Sequence, residues 1–169
     1  MKEIQLRRLR KSDIFQIAKL ANNKKVWDNL RDFIPYPYTE SDAVFFVTLT
    51  EKENPEQTFG IITDEDELCG VIGLVIQSDV YRLSAEIGYW VGEEYWGRGI
   101  ATKAIGLITH YGFEKLNLER IHTGVYDFNI ASMKALGKNG YQKEGVFRNS
   151  VIKNGNICDE HRYAKLRSD

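Results

Sequence analysis

The chain has 169 residues, enough for one domain with a proper core. Lys and Arg number 23 against 24 Asp and Glu, so no basic excess points to nucleic acid or an anionic membrane as the main partner. The two cysteines and three histidines show no metal-ligand spacing, which argues against a metal and for a reduced, cytoplasmic setting.

The opening MKEIQLRRLR alternates apolar and charged residues, so no signal peptide is expected, and no stretch nears the roughly 18 apolar residues of a membrane span. Residues 3–9 read as a strand. Ser12 and Asp13 open a helix whose Ile14, Ile17, Ala18 and Ala21 fall at helical spacing. After Trp27 and Leu30, the two prolines of Ile34–Tyr38 forbid regular structure. Thr39 or Ser41 then caps a second helix running to about Lys52. Phe59–Ile62, Leu68–Ile76 and Ala85–Val91 are strand-like runs. Residues 98–116 return to helical period, Arg120–Tyr126 is a strand, and Ile130–Lys138 a short helix. Val146–Ile152 and Ile157–Leu166 close the chain as a hairpin around Asn154-Gly155. Nothing divides the chain, so a single domain over 1–169 is expected, of α/β (α+β) class with a mixed, largely antiparallel sheet.

The chemistry concentrates in Glu86-Ile87-Gly88-Tyr89-Trp90-Val91 and the following Tyr95-Trp96-Gly97-Arg98-Gly99-Ile100-Ala101-Thr102. A strand enters a glycine loop that runs straight into an amphipathic helix. Glycines allow a ligand close to the backbone, and a helix start favours an anion. Gly97–Phe113 holds no acidic residue, whereas stable helices usually carry one in the first turn. A pyrophosphate suits such a place; a plain Gly-rich turn is the alternative. A P-loop is excluded because Gly-Lys-Ser/Thr is missing. A dinucleotide fingerprint is weak, with Thr102 where a third glycine or alanine belongs and Glu119 before its strand rather than after one.

Trp96, Gly99 and Ala101 fall at the first, fourth and sixth places of a run that resembles the coenzyme A motif of GNAT acetyltransferases, Gln/Arg-x-x-Gly-x-Gly/Ala. The tryptophan departs from the usual first residue. It is similar to the branch of ribosomal-protein N-terminal acetyltransferases, as are Asn129, Ser132, Gly140, Tyr141, Glu144 and Gly145, the Leu6–Leu9 opening and the Pro35–Tyr38 segment. The resemblance implies two central parallel strands that splay, flanked by helices, with acetyl-coenzyme A as co-substrate and no metal. It implies that the main chain of Tyr89, Trp90 and Val91 pairs with the pantetheine arm, and that Trp96–Thr102, through Arg98, Gly99, Ile100 and Ala101, holds the pyrophosphate. Asn129 is expected on the cofactor, or as a helix cap. Lys134 is expected on a phosphate, or in solvent.

The resemblance also assigns acid–base roles. Glu86, which interrupts an apolar strand, is the candidate base, with a buried salt bridge as the alternative. Many members place a tyrosine seven residues after the asparagine as thiolate acid. Leu136 stands there, so Ser132 becomes the candidate. Tyr36 and Tyr38 are expected to rim the acceptor pocket, with Trp27 packed in the core. The implied activity is acetyl transfer to a primary amine, on a protein N-terminus such as that of a ribosomal protein or on a small molecule. A coenzyme A-binding module without turnover is the alternative; a nucleotide-dependent oxidoreductase is a more distant one. Monomer and homodimer both stay open.

Overall fold

The computed structural model describes residues 3–169, and among these the apolar runs form seven strands: β1 (Ile4–Arg7), β2 (Thr58–Thr63), β3 (Leu68–Ile76), β4 (Ser84–Val91), β5 (Arg120–Tyr126), β6 (Gln142–Lys153) and β7 (Asn156–Leu166). The helices are α1 (Ile14–Ala21), α2 (Lys24–Trp27), α3 (Glu40–Thr50), α4 (Ile100–Glu114) and α5 (Ile130–Lys138). No helix of the described residues is long and apolar enough to cross a membrane.

Several boundaries sharpen the sequence reading. Thr39, not Ser41, caps α3: its hydroxyl accepts from the Asp42 amide while Asp42 reaches back to the Thr39 amide. The short α2 was not anticipated; the Asn23 side chain caps it by accepting from the Lys25 and Val26 amides. The helix expected from residue 98 begins at Ile100, because Gly97 (φ 75°) and Gly99 (φ 73°) are both left-handed. β6 is longer than its apolar run, and its register shifts twice, one shift spanning the left-handed Asn149 (φ 52°). The final hairpin turns on Asn154 and Gly155, both at positive φ as a two-residue loop of this kind demands.

The strand order is β1-β2-β3-β4-β5-β7-β6, with every pair antiparallel except β4–β5. α4 covers one face, where Leu74 and Ile121 crowd the Cα of Gly112 and Phe59 meets Tyr111 edge-on at 5.1 Å. α1 covers the other and packs on α3, its Leu20 against the main chain of Gly92. Fully buried Ile17, Ile72, Leu74, Ile87, Ile105, Ile108 and Ile121 form the centre of the core. Ala85, Ile87 and Val91 tie β4 to this core.

Candidate active site

The parallel pairing is short. Ser84, Ala85 and Glu86 oppose Arg120, Ile121 and His122, and there the ladder stops. β4 nonetheless stays paired with β3 as far as Val91 opposite Gly70. The two central strands therefore part after the Glu86–His122 rung. The direction of the main chain follows from two bonds: the Ser84 carbonyl accepts from Gln77, and the Gly92 amide donates to Cys69, both toward β3. Amide and carbonyl of one strand residue share a side, and sides alternate. Glu86, Gly88 and Trp90 thus turn their main chain to β3, while Ile87, Tyr89 and Val91 turn theirs to the gap. Trp90, expected to pair with a pantetheine arm, has its amide and carbonyl on the wrong side. Tyr89 and Val91 have the right one.

Trp96 closes the end of the gap. Its indole Nε1 donates to the Val91 carbonyl at 2.7 Å, which ties the glycine loop to β4 and leaves the Val91 amide and the Tyr89 main chain facing the gap. The loop itself is open: a Cβ built on Gly97 or Gly99 meets nothing within 4 Å. Gly99 caps α4 without a side chain, and the first helical bond runs from Lys103 to the Gly99 carbonyl. Ile100, Ala101 and Thr102 have no carbonyl within the helix for their amides. Ile100 is buried and anchors the turn, and no acid stands in the first turn. Left-handed glycines, bare amides and the positive helix end together fit a pyrophosphate. Arg98 does not aim at that space; its guanidinium donates to the Glu94 carbonyl at 2.8 Å and lies 5.7 Å above the Tyr95 ring.

On the α4 side of the gap, Asn129 caps α5, its side-chain oxygen accepting from the Ser132 amide at 3.2 Å. The Ser132 hydroxyl lies 2.6 Å from the Tyr89 hydroxyl. Burial pushes the Tyr89 phenol up to about 12, against the pull of the Ser132 hydrogen bond. Leu136 is wholly buried in the core, and Lys134 lies exposed on the outer face of α5.

On the other side stands Glu86, half-buried and hydrogen-bonded by the Arg31 guanidinium. Across the last rung is His122, whose Nδ1 is 3.3 Å from Arg162, itself bonded to Glu160 at 2.6 Å. Burial, then the positive charge of Arg162, lowers the His122 pKa below its ordinary value. The Glu160 carboxylate lies over the bare Cα of Gly124, where any Cβ would collide with it. Nearby, Lys153 is buried with its ammonium 2.6 Å from Asp32 and 3.3 Å from the Trp27 ring. Trp27 donates to the Ile34 carbonyl at 2.7 Å and stacks on Tyr36 at 5.5 Å. Trp27 is therefore bracketed between hairpin tip and loop rather than sunk in the core. Tyr36 is 42% exposed. Tyr38 is not at the rim. It is 9% exposed within the core, its phenol pushed up to about 12 by burial and then by Asp42.

A family model described as Acetyltransferase (GNAT) domain matches residues 3–142. The chain belongs to the GNAT acetyltransferase family. The N-acetyltransferase p20 of Bacillus licheniformis is 33% identical over 139 residues, 79% of this chain and 77% of that one. The putative ribosomal N-acetyltransferase YdaF of Bacillus subtilis (strain 168) is 34% identical over 110 residues, 65% of this chain and 59% of the relative. The crystal structure of spermidine N-acetyltransferase from Vibrio cholerae in complex with CoA and spermine superposes with a TM-score of 0.84 at 25% identity, over 98% of this chain and 96% of that one.

As a GNAT acetyltransferase, the protein moves an acetyl group from acetyl-coenzyme A to an amine. Its gap has the Glu86 carboxylate on one face of the sheet and the Tyr89–Ser132 hydroxyl pair on the other. Arg31, His122, Arg162 and the Tyr89 side chain escaped the sequence reading. His122 sits at the same alternation as Arg120 and Tyr126, a weak signal; the other three depend on register and loop placement, which no local pattern carries.

Proposed function

We propose that the acceptor is a primary amine, on a polyamine or a protein N-terminus, taken up in the cytoplasm at the fork between β4 and β5. The parting of these strands after Glu86 and His122, with a bare glycine cradle at its end, carries this reading. The Tyr89 main chain and the Val91 amide pair with the pantetheine arm, and the amides at the α4 start take the pyrophosphate. Asn129 keeps its side-chain NH2 for the cofactor while its oxygen caps α5. Bound acetyl-coenzyme A would supply the activated acetyl group. Relatives named for spermidine and for ribosomal protein differ in acceptor but share the amine.

An amine with a pKa of roughly 8 to 10 is mostly protonated at neutral pH, so a base assists attack. Glu86 serves directly or through one water. Arg31 holds one of its oxygens, which leaves lone pairs on the other for the acceptor ammonium. Ser132 donates toward the departing sulfur from the other face. Release of free thiol from acetyl-coenzyme A across polyamines and ribosomal-protein N-terminal peptides tests the acceptor class. No release with any of them would leave a binding module. Glu86→Gln should lower kcat/KM about a hundredfold at neutral pH, on the scale of general-base effects, with the deficit shrinking toward the pKa of the amine. A pH-independent deficit with a lower Tm would make the Arg31–Glu86 pair structural.

A further inference from the structure

Tyr89 enters the site by its main chain, but its side chain crosses to the α4–α5 face and ends on Ser132 at 2.6 Å. Either oxygen is able to donate in that bond. The surroundings decide which does. The Tyr89 ring packs against the core, and its hydroxyl has no other hydrogen-bond partner among the described residues. Ser132 lies partly exposed in the first turn of α5. Were Ser132 the donor, the phenolic proton would be stranded, and a buried donor without an acceptor loses a hydrogen bond that water had supplied. A phenol is also the stronger acid of the two and hence the better donor. Tyr89 therefore donates, Ser132 accepts, and the serine proton is left to point elsewhere. Burial keeps the phenol neutral far above physiological pH, so this orientation persists.

Resting on the reading of Ser132 above, we propose that Tyr89 is a positioning residue for thiolate departure: by donating to Ser132 Oγ, it aims the Ser132 proton into the gap between β4 and β5. As the amine nitrogen bonds to the carbonyl carbon, the C–S bond breaks and its electron pair goes to sulfur. Ser132 donates a hydrogen bond to that sulfur. The proton that finally neutralises it is the one shed by the amine and carried off by Glu86 and water. Tyr89 and Ser132 end the cycle with their own protons. A phenol from β4 thus supports the function that a tyrosine on α5 cannot supply, since Leu136 lies in the core.

The test is an equilibrium one. A hydrogen bond to a charged acceptor is the strong kind, so an aimed Ser132 favours the thiolate of bound coenzyme A over its thiol. Calorimetric affinities of coenzyme A and of desulfo-coenzyme A, which lacks the sulfur, are compared between pH 6 and 9. In the wild type, coenzyme A gains on the analogue as pH rises. In Tyr89→Phe, that gain should fall about tenfold, equivalent to a thiol titrating about one pH unit higher, while the analogue binds as before. Ser132→Ala should lose the same preference, and the double variant no more than either. A Tyr89→Phe protein that keeps the full gain overturns the proposal, as does an equal loss for both ligands. Gly99→Val separates the two levels. If it binds both ligands as the wild type does, the cofactor site itself is misassigned and both readings fall. If it weakens both while Tyr89→Phe spares the thiolate preference, only the role of Tyr89 falls.

Discussion

Gly99→Val gives the most direct measure of the glycine cradle, because its effects on fold and on ligand can be computed separately. A Cβ at this position meets nothing within 4 Å, so the free protein suffers no collision. The penalty is conformational: φ is 73°, and a β-branched residue there costs about 3 kcal/mol. At about 2.1 cal/mol/K per residue, unfolding of this chain carries about 0.35 kcal/mol/K, so each kcal/mol moves Tm by about 3 °C. The unliganded variant should thus melt about 8 °C below the wild type. Coenzyme A at a hundred times its Kd stabilises the wild type by about 2.7 kcal/mol, or about 8 °C. If the valine blocks the pyrophosphate and weakens binding a hundredfold, only about 0.4 kcal/mol remains, a shift of about 1 °C. Differential scanning fluorimetry with and without coenzyme A reads both numbers. A variant that melts lower yet keeps the full 8 °C ligand shift, an estimate from the same mass-action relation, would refute the cradle.

Two further outcomes concern Lys153 and His122. Lys153 is buried but its partner Asp32 is largely exposed, so the two are not equivalent. Lys153→Met should cost about 1 kcal/mol or less, whereas Asp32→Ala, leaving the buried ammonium with the Trp27 ring and the charge of Asp28 but no hydrogen-bonded carboxylate, should cost about 3 kcal/mol; equilibrium denaturation showing the reverse order would exclude this account. The His122 pKa is lower folded than unfolded, through burial and Arg162, with Arg120 adding to it and Glu86 and Glu144 opposing. The unfolded chain therefore takes up the proton first, and the stability present above about pH 6.5 is lost as pH falls through the folded value. Wild-type Tm should decline relative to His122→Gln between about pH 7.5 and 5, and parallel curves would mean that His122 titrates as it does in solution.

Legibility in the sequence divides along the same line as the site. The strand, glycine loop and helix around Glu86–Thr102 follow each other in one continuous run, so local rules place these elements to within about two residues. The Asn154-Gly155 turn was equally readable, and Thr39 and Asn129 each stood as one of two readings as helix caps, because caps and turns are local chemistry. The misplacements of Trp90 and Tyr38, like that of Trp27, have another origin. Which side of β4 faces the gap depends on register with β3, fixed by the bonds from Gln77 and Gly92. Whether a tyrosine after a proline lies outside or inside depends on what it meets, and Tyr38 meets the core while Tyr36 meets Trp27.

The bracketing of Trp27 has a consequence for segment exchange with relatives. Lys24 bonds to Asp28 and Asn154, Asn154 to Asp28, and Lys153 to Asp32 and the indole ring, so residues 24–36 and the tip of the β6–β7 hairpin form one wall although they stand more than a hundred positions apart. Neither half is a separable cassette. A chimera that imports a relative's 24–38 segment alone inherits a tryptophan without its lysine and an aspartate without its counter-charge. On the proposed reading that this wall borders the acceptor, retargeting calls for exchanging both segments as a matched pair, while the stretch from Glu86 to Thr102 is left untouched.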